Sequence, residues 1–275
     1  MDREGPIALF DSGVGGLTIA KEVISEFPQE QIVYFGDTAH LPYGPRSQEE
    51  VKGFVLKIID YFVNINAKMI IIACNTATAA GLEAAKNKFD IPIIGPIQPG
   101  VEEAVLATNN RKVGIIATEG TINSGAYQNK LRKSDSKLEI FDQACPEFIP
   151  LVEIGDLYSS RTKQVVEGYL SSLKENDIDT LLLGCTHFPY LERAIREVMG
   201  ERVNLIYPGR GIALKVREIL ESNALLNNPI EKKDNKFYVS DLDRLSKNFV
   251  KLGKEFLGFE ELEFQRLDLW SKNNL

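Results

Sequence analysis

Met69-Ile70-Ile71-Ile72-Ala73-Cys74-Asn75-Thr76-Ala77-Thr78 and Thr180-Leu181-Leu182-Leu183-Gly184-Cys185-Thr186-His187 decide the fold. Each opens as an apolar run without polar alternation, the pattern of a strand buried on both faces of a parallel sheet. Each run stops at a cysteine followed by small hydroxyl or amide residues, which predicts a thiol at the carboxyl end of a central strand. Ligands of open α/β sheets bind at that end. Two thiols so placed predict one site built from two similar lobes, with a sulfur on either side of a substrate.

The flanking sequence repeats in the same rhythm. Strand starts at Ile7, Gln31, Met69 and Ile91 are spaced by 24, 38 and 22 residues, and those at Val113, Leu138, Thr180 and Val203 by 25, 42 and 23. The fold class expected is therefore α/β: two similar lobes, each a mainly parallel sheet flanked by helices, with the active site in the cleft between them. The lobes join near Ile97-Gln98-Pro99-Gly100, and the predicted strand Lys236–Ser240 returns to the first sheet. This assigns residues 1–98 plus 212–275 to the first lobe and 99–211 to the second, with a polar stretch over Asn223–Asn235 in the tail.

Composition narrows the partners. A chain of 275 residues can bury a substantial core, and a net charge of −7 argues against a nucleic-acid surface, whose affinity depends on clustered Lys and Arg. A small solute is the expected partner. No apolar run approaches the ~18 residues needed to cross a bilayer, and Met1-Asp2-Arg3-Glu4-Gly5 has no signal-peptide pattern, so the expectation is a cytoplasmic protein without membrane association. Three cysteines in a reducing compartment point to free thiols.

Other motifs carry both bland and chemical readings. Asp11-Ser12-Gly13-Val14-Gly15-Gly16 follows the strand Ile7–Phe10 and precedes a helical pattern, but neither a dinucleotide glycine register nor a Gly-Lys-Ser/Thr follows. It reads as a tight turn placing a carboxylate, Asp11, at a strand's carboxyl end. The loop Gly36 to Ser47 is rigid with Pro and Gly, and Ser47-Gln48-Glu49-Glu50 reads as a helix cap with acids in the first turn. No cysteine or histidine spacing suits a metal, and none is expected. After the first thiol strand a helix is expected to begin near Thr78, and Ala144–Glu153 reads as the counterpart of the Asp37–Tyr43 loop, with Glu153 as a cap or loop acid. Cys145 and His40 read as structural and loop residues. His187, two residues past Cys185, could be a satisfied core histidine; beside a cleft thiol it can move protons and favour thiolate.

Five motifs, in order, resemble the glutamate racemases of the aspartate/glutamate racemase superfamily. They are Asp11-Ser12-Gly13-Val14-Gly15-Gly16, Asp37-Thr38-Ala39-His40-Leu41-Pro42-Tyr43-Gly44, Ala73–Thr78, Pro150-Leu151-Val152-Glu153 and Leu183-Gly184-Cys185-Thr186-His187-Phe188-Pro189. The resemblance implies cofactor-independent interconversion of L- and D-glutamate, supplying D-glutamate for peptidoglycan, and a homodimer. It implies Cys185 as the base for L-glutamate and Cys74 as the base for D-glutamate. Asp11 then supports Cys74, and Glu153 and His187 serve Cys185. It further implies substrate contacts from Asp11, Ser12, Tyr43, Gly44, Asn75, Thr76, Thr118, Thr121, Thr186 and His187. Where the family commonly carries an acid after the strand ending at Ile206, this chain has Tyr207-Pro208-Gly209-Arg210. A sister racemase for aspartate or a hydantoin, and a two-lobed amino-acid-binding protein with inert thiols, are the alternatives.

Overall fold

A computed structural model describes residues 2–227, 233–245 and 247–271. The polar stretch expected over Asn223–Asn235 thus falls in part, at residues 228–232, outside the described residues. In the first half, β1 (Ile7–Asp11), α1 (Leu17–Glu26), β2 (Ile32–Gly36), α2 (Gln48–Asn64), β3 (Met69–Ile72), α3 (Asn75–Lys88) and β4 (Ile93–Ile94) alternate strictly. The second half runs α4 (Ile97–Ala107), β5 (Lys112–Ala117), α5 (Glu119–Asn123), α6 (Ala126–Ser134), β6 (Glu139–Ala144), α7 (Phe148–Glu153), α8 (Ser160–Glu175), β7 (Thr180–Gly184), α9 (Glu192–Met199) and β8 (Asn204–Ile206). The chain then continues through α10 (Pro208–Ser222), β9 (Lys236–Val239), α11 (Lys247–Leu257) and β10 (Gln265–Arg266).

The strands form two sheets, ordered β10-β9-β2-β1-β3-β4 and β6-β5-β7-β8, and every pairing is parallel. The order β2-β1-β3-β4 matches β6-β5-β7-β8 strand for strand, so the repeat in spacing is also a repeat in topology. Strands β1, β2, β3 and β7 are buried along their whole length, as their unbroken apolar runs require. In each sheet the strand order reverses between two central strands, β1 and β3 in one and β5 and β7 in the other. A crevice opens outside the carboxyl ends of strands at such a reversal. Phe10 pairs with Ile72, which brings Ser12 beside Cys74, and Ala117 pairs with Gly184, which brings Thr118 beside Cys185.

Three local expectations need correction. The helix after the first thiol begins at Asn75 rather than near Thr78, because Cys74 itself caps it: its Sγ accepts from the Ala77 N–H at 3.5 Å. Glu153 ends the short helix α7 instead of lying in a loop. Beyond the anticipated β9, which pairs with β2, a further strand β10 adds to the sheet edge. Ser47 caps α2 as expected, accepting from the Glu50 N–H at 3.2 Å.

The pole of the first sheet opposite the thiols is tied by a buried ion pair. The Lys68 ammonium, fully buried just before β3, donates to Glu30 at 2.5 Å and to the carbonyls of Arg3 and Leu225 at 2.9 Å each. Glu30 in turn accepts from the Asn227 N–H at 2.8 Å. Removing one member strands the other charge without water, at a cost of about 3–5 kcal/mol. Lys68→Met and Glu30→Gln should each lower unfolding free energy by that order in urea titrations; a loss below about 1 kcal/mol would show the pair to be dispensable.

Candidate active site

Both thiols owe their position to strand-to-helix turns. Cys74 stands at the N-terminus of α3, where the backbone N–H groups and the helix dipole favour negative charge. Cys185 follows β7 and precedes a turn of 3₁₀ helix over Phe188–Leu191, whose first N–H donates to its carbonyl at 3.1 Å. The side chains are 6 % and 7 % exposed, and both line the same small cavity. Ser12, Tyr43, Gly44, Asn75 and Thr76 line it from the first lobe, and Thr118, Ile149, Gly184, Thr186 and His187 from the second. Its free volume for the centre of a water molecule is about 10 Å³, room for about one water. Asn75, Cys185 and Thr186 also face a larger cleft of about 470 Å³, bounded further by Glu22, Glu103 and Tyr207.

The remaining expected residues stand one layer back. Asp11 is fully buried and accepts from the N–H groups of Gly13 at 3.3 Å and Gly16 at 3.1 Å and from the Thr186 hydroxyl at 3.3 Å. Burial pushes its carboxyl up, partly offset by the His187 charge and by these donors. Glu153 lies 2.8 Å from Nε2 of His187, whose Nδ1 lies 4.0 Å from the Cys185 sulfur. Burial alone would lower this imidazole, but its hydrogen bonds to Cys185 and Glu153, and their negative charge, outweigh burial and hold it well above the ordinary histidine range. Cys74 is pushed up strongly by burial and then by the charge of Asp11. Burial and Asp11 thus favour the thiol form of Cys74, whereas Cys185 has the His187 ring as its neighbour.

Close contacts hold the lobes together around the cavity. The Thr76 hydroxyl of α3 is 2.8 Å from that of Thr118 and 3.1 Å from that of Thr121, both in the second lobe. Gly120 donates its N–H to the Gly44 carbonyl at 3.0 Å, and a Cβ there would lie 2.6 Å from that oxygen, so only glycine allows this approach. At the opposite side, a Cβ on Gly15 would meet the His187 ring at 2.5 Å.

Residues outside the motifs also matter. Tyr43 donates to the buried Asp37 at 2.6 Å, and Asp37 accepts as well from Ser240 at 2.8 Å and from the Trp270 indole at 2.9 Å, with His40 at 2.9 Å. The C-terminal strands thus hold a cavity-lining tyrosine. Ile149 in the lining, and Tyr127 behind it, lie outside the motifs, whereas Gly184 belongs to the fifth motif and joins the lining without having been expected as a substrate contact. Among the described residues no group of three or more His, Cys, Asp or Glu side chains could hold a metal ion, and no helix is long and apolar enough to cross a membrane.

Fold and site define a duplicated α/β protein whose lobes each bring one thiol to a shared, nearly closed cavity. A family model described as Asp/Glu/Hydantoin racemase matches residues 18–210. The chain belongs to that racemase family. It is 43 % identical to a glutamate racemase of Oceanobacillus iheyensis over 99 % of this chain and 97 % of the relative. Among solved structures, glutamate racemase isoform RacE1 of Bacillus anthracis superposes with a TM-score of 0.90 at 36 % identity, covering 98 % of this chain and 99 % of the other. The Francisella tularensis glutamate racemase, solved in complex with D-glutamate, superposes with a TM-score of 0.89 at 34 % identity over 98 % and 99 % of the two chains.

The charge pattern has a direct chemical readout, because thiolate and not thiol is the nucleophile. Burial pushes Cys145 up as it does Cys74, whereas Cys185 has the His187 ring 4.0 Å from its sulfur. Iodoacetamide at neutral pH should therefore label Cys185 ahead of Cys74 and Cys145 in time-resolved peptide mapping. Labelling of Cys74 first, or at equal rates, would contradict the pattern.

Proposed function

We propose that this chain interconverts L- and D-glutamate without a cofactor, one thiol taking the α-proton while the other delivers a proton to the opposite face. The observation carrying the proposal is the single cavity lined by both Cys74 and Cys185. It is supported by membership of the racemase family and by the relatives' activity and D-glutamate complex.

An amino acid's α-proton is a very weak acid, so its removal needs a base held in line with the bond at about 3–3.5 Å. With L-glutamate bound, the Cys185 thiolate takes that proton: the S–H bond forms, and the C–H electron pair stays on the substrate, delocalising into its carboxylate. The Cys74 S–H bond then breaks as its proton passes to the other face of the carbon, giving D-glutamate and a Cys74 thiolate. The reverse direction begins from that state. His187 supplies the counter-charge for the Cys185 thiolate and Glu153 orients the ring, while Asp11 beside the β1–α1 turn keeps Cys74 in its thiol form for donation. Asn75 and the hydroxyls of Ser12, Thr76, Thr118 and Thr186, with Tyr43 and the Gly44 backbone, serve the substrate's polar groups, while Thr121, fully buried and absent from the lining, backs Thr76 and Thr118 with its hydroxyl. Backbone N–H groups at the start of α3 can meet carboxylate charge without an arginine.

A cavity that holds about one water does not admit glutamate, so substrate entry requires the lobes to part, and closure then excludes water. The same proposal divides the chain into residues 1–98 with 212–275 and residues 99–211. It includes a homodimer, a cytoplasmic location and supply of D-glutamate to peptidoglycan.

Incubation with L-glutamate in deuterated water should place deuterium at Cα of the D-product, with aspartate and a hydantoin far less active alongside. Cys74→Ala and Cys185→Ala should each lower kcat by at least about a thousandfold while glutamate still binds, as loss of an essential proton carrier requires. Turnover preserved in either variant, or no exchange by the unmodified protein, would overturn the assignment.

A further inference from the structure

Tyr127 belongs to no sequence motif, yet its side chain touches the neighbours of both thiols. Its ring is fully buried in α6. The hydroxyl donates to Oδ1 of Asn75, the residue after Cys74, at 2.6 Å. The ring edge lies against Gly184, the residue before Cys185, so closely that a Cβ there would stand 3.0 Å from Cε2. The same ring lies 3.5 Å from where a Cβ on Gly100 of α4 would be.

We infer that Tyr127 is a positioning residue that fixes the Asn75 amide with its NH2 end turned into the substrate cavity. The argument is one of donor counting. A side-chain amide has an acceptor end and a donor end, and which faces where follows from its partners. Burial holds the phenol in its protonated form, and among the described residues Asn75 is its hydrogen-bond partner. The phenol proton must therefore go to the amide oxygen. The amide nitrogen, without a described protein partner, is left to the cavity that Asn75 lines. Two N–H donors then face the position of a substrate carboxylate. The opposite orientation would aim a carbonyl oxygen at that anion.

The second observation concerns what Asn75 would do without this tie. It lines both the small cavity and the larger cleft behind it, so a freed amide has somewhere else to turn. Tyr127 holds it on the substrate side. Because the hydroxyl reaches from the second lobe to the first, it orders the amide only when the lobes are together.

The role rests on the glutamate racemase reading, and its test separates the two. Tyr127→Phe removes one oxygen and keeps the ring packed. It should raise KM for both glutamate enantiomers roughly tenfold, the scale of a lost hydrogen bond to a charged group, with kcat within about threefold of the unmodified protein. Asn75→Ala should raise KM at least as much, and the double variant no more than Asn75→Ala alone, since the hydroxyl acts through the amide. Additive effects, or an unchanged KM in Tyr127→Phe, overturn the positioning role while racemisation by the unmodified protein stands; absence of racemisation by the unmodified protein overturns the reading beneath it. If Tyr127→Phe does not fold, Asn75→Asp decides. The tyrosine keeps its acceptor there, but an oxygen replaces the inward NH2, so KM should exceed that of Asn75→Ala; equal or lower KM overturns the inference.

Discussion

Where the first turn of α3 meets α5, the Thr76 hydroxyl lies within hydrogen-bond reach of both Thr118 and Thr121. Beside it the Tyr127 hydroxyl crosses from the second lobe to Asn75. These contacts matter because each lobe carries one sulfur, and neither sulfur alone can invert a carbon centre. Inversion needs a donor and an acceptor on opposite faces of the same atom. The two sheets share no strand, so the relation between Cys74 and Cys185 depends on the contacts between lobes. The residues that follow the thiol strands therefore do two tasks at once: they line the cavity, and they join its halves.

The duplicated topology explains why the arrangement is pseudo-symmetric and the chemistry is not. Each thiol occupies the end of the third strand of its half, at a reversal of strand order. Around them the surroundings diverge. Cys74 has a buried carboxylate, Asp11, as its neighbouring charge, whereas Cys185 has His187 backed by Glu153. A carboxylate opposes ionisation of a thiol and an imidazolium balances it. One fold used twice thus gives the two sulfurs unlike surroundings, the asymmetry that the proposed donor and acceptor roles call for.

Much of this was legible in the sequence because it is local. The apolar runs ending at Cys74 and Cys185 specify buried parallel strands, and the repeated spacing specifies the duplication. Asp11, Asn75, Thr76, Thr186 and His187 adjoin those strand ends and were found with them. What escaped the reading is set by distance along the chain. Trp270 reaches Asp37 across 233 residues, and Tyr127 reaches Asn75 across 52, with no periodicity to announce either contact. Helix α3 starts earlier than its sequence suggests for a different reason. A cysteine acts as its cap, and the Thr78 hydroxyl folds back onto the Cys74 carbonyl at 2.8 Å, so residues that usually mark a loop lie in the first turn of a helix. Ala144–Glu153, the counterpart of the Asp37–Tyr43 loop, departs from that loop by forming the short helix α7, with Pro150 inside it and Glu153 at its end.

The geometry of the two sulfurs about the substrate carbon is the centre of the account, and a crystal structure with glutamate bound measures it. The expected result is Cα lying between Cys74 Sγ and Cys185 Sγ, each sulfur about 3–3.5 Å away and on opposite faces of the carbon. Both sulfurs on one face, or either one turned away into the protein, would contradict it.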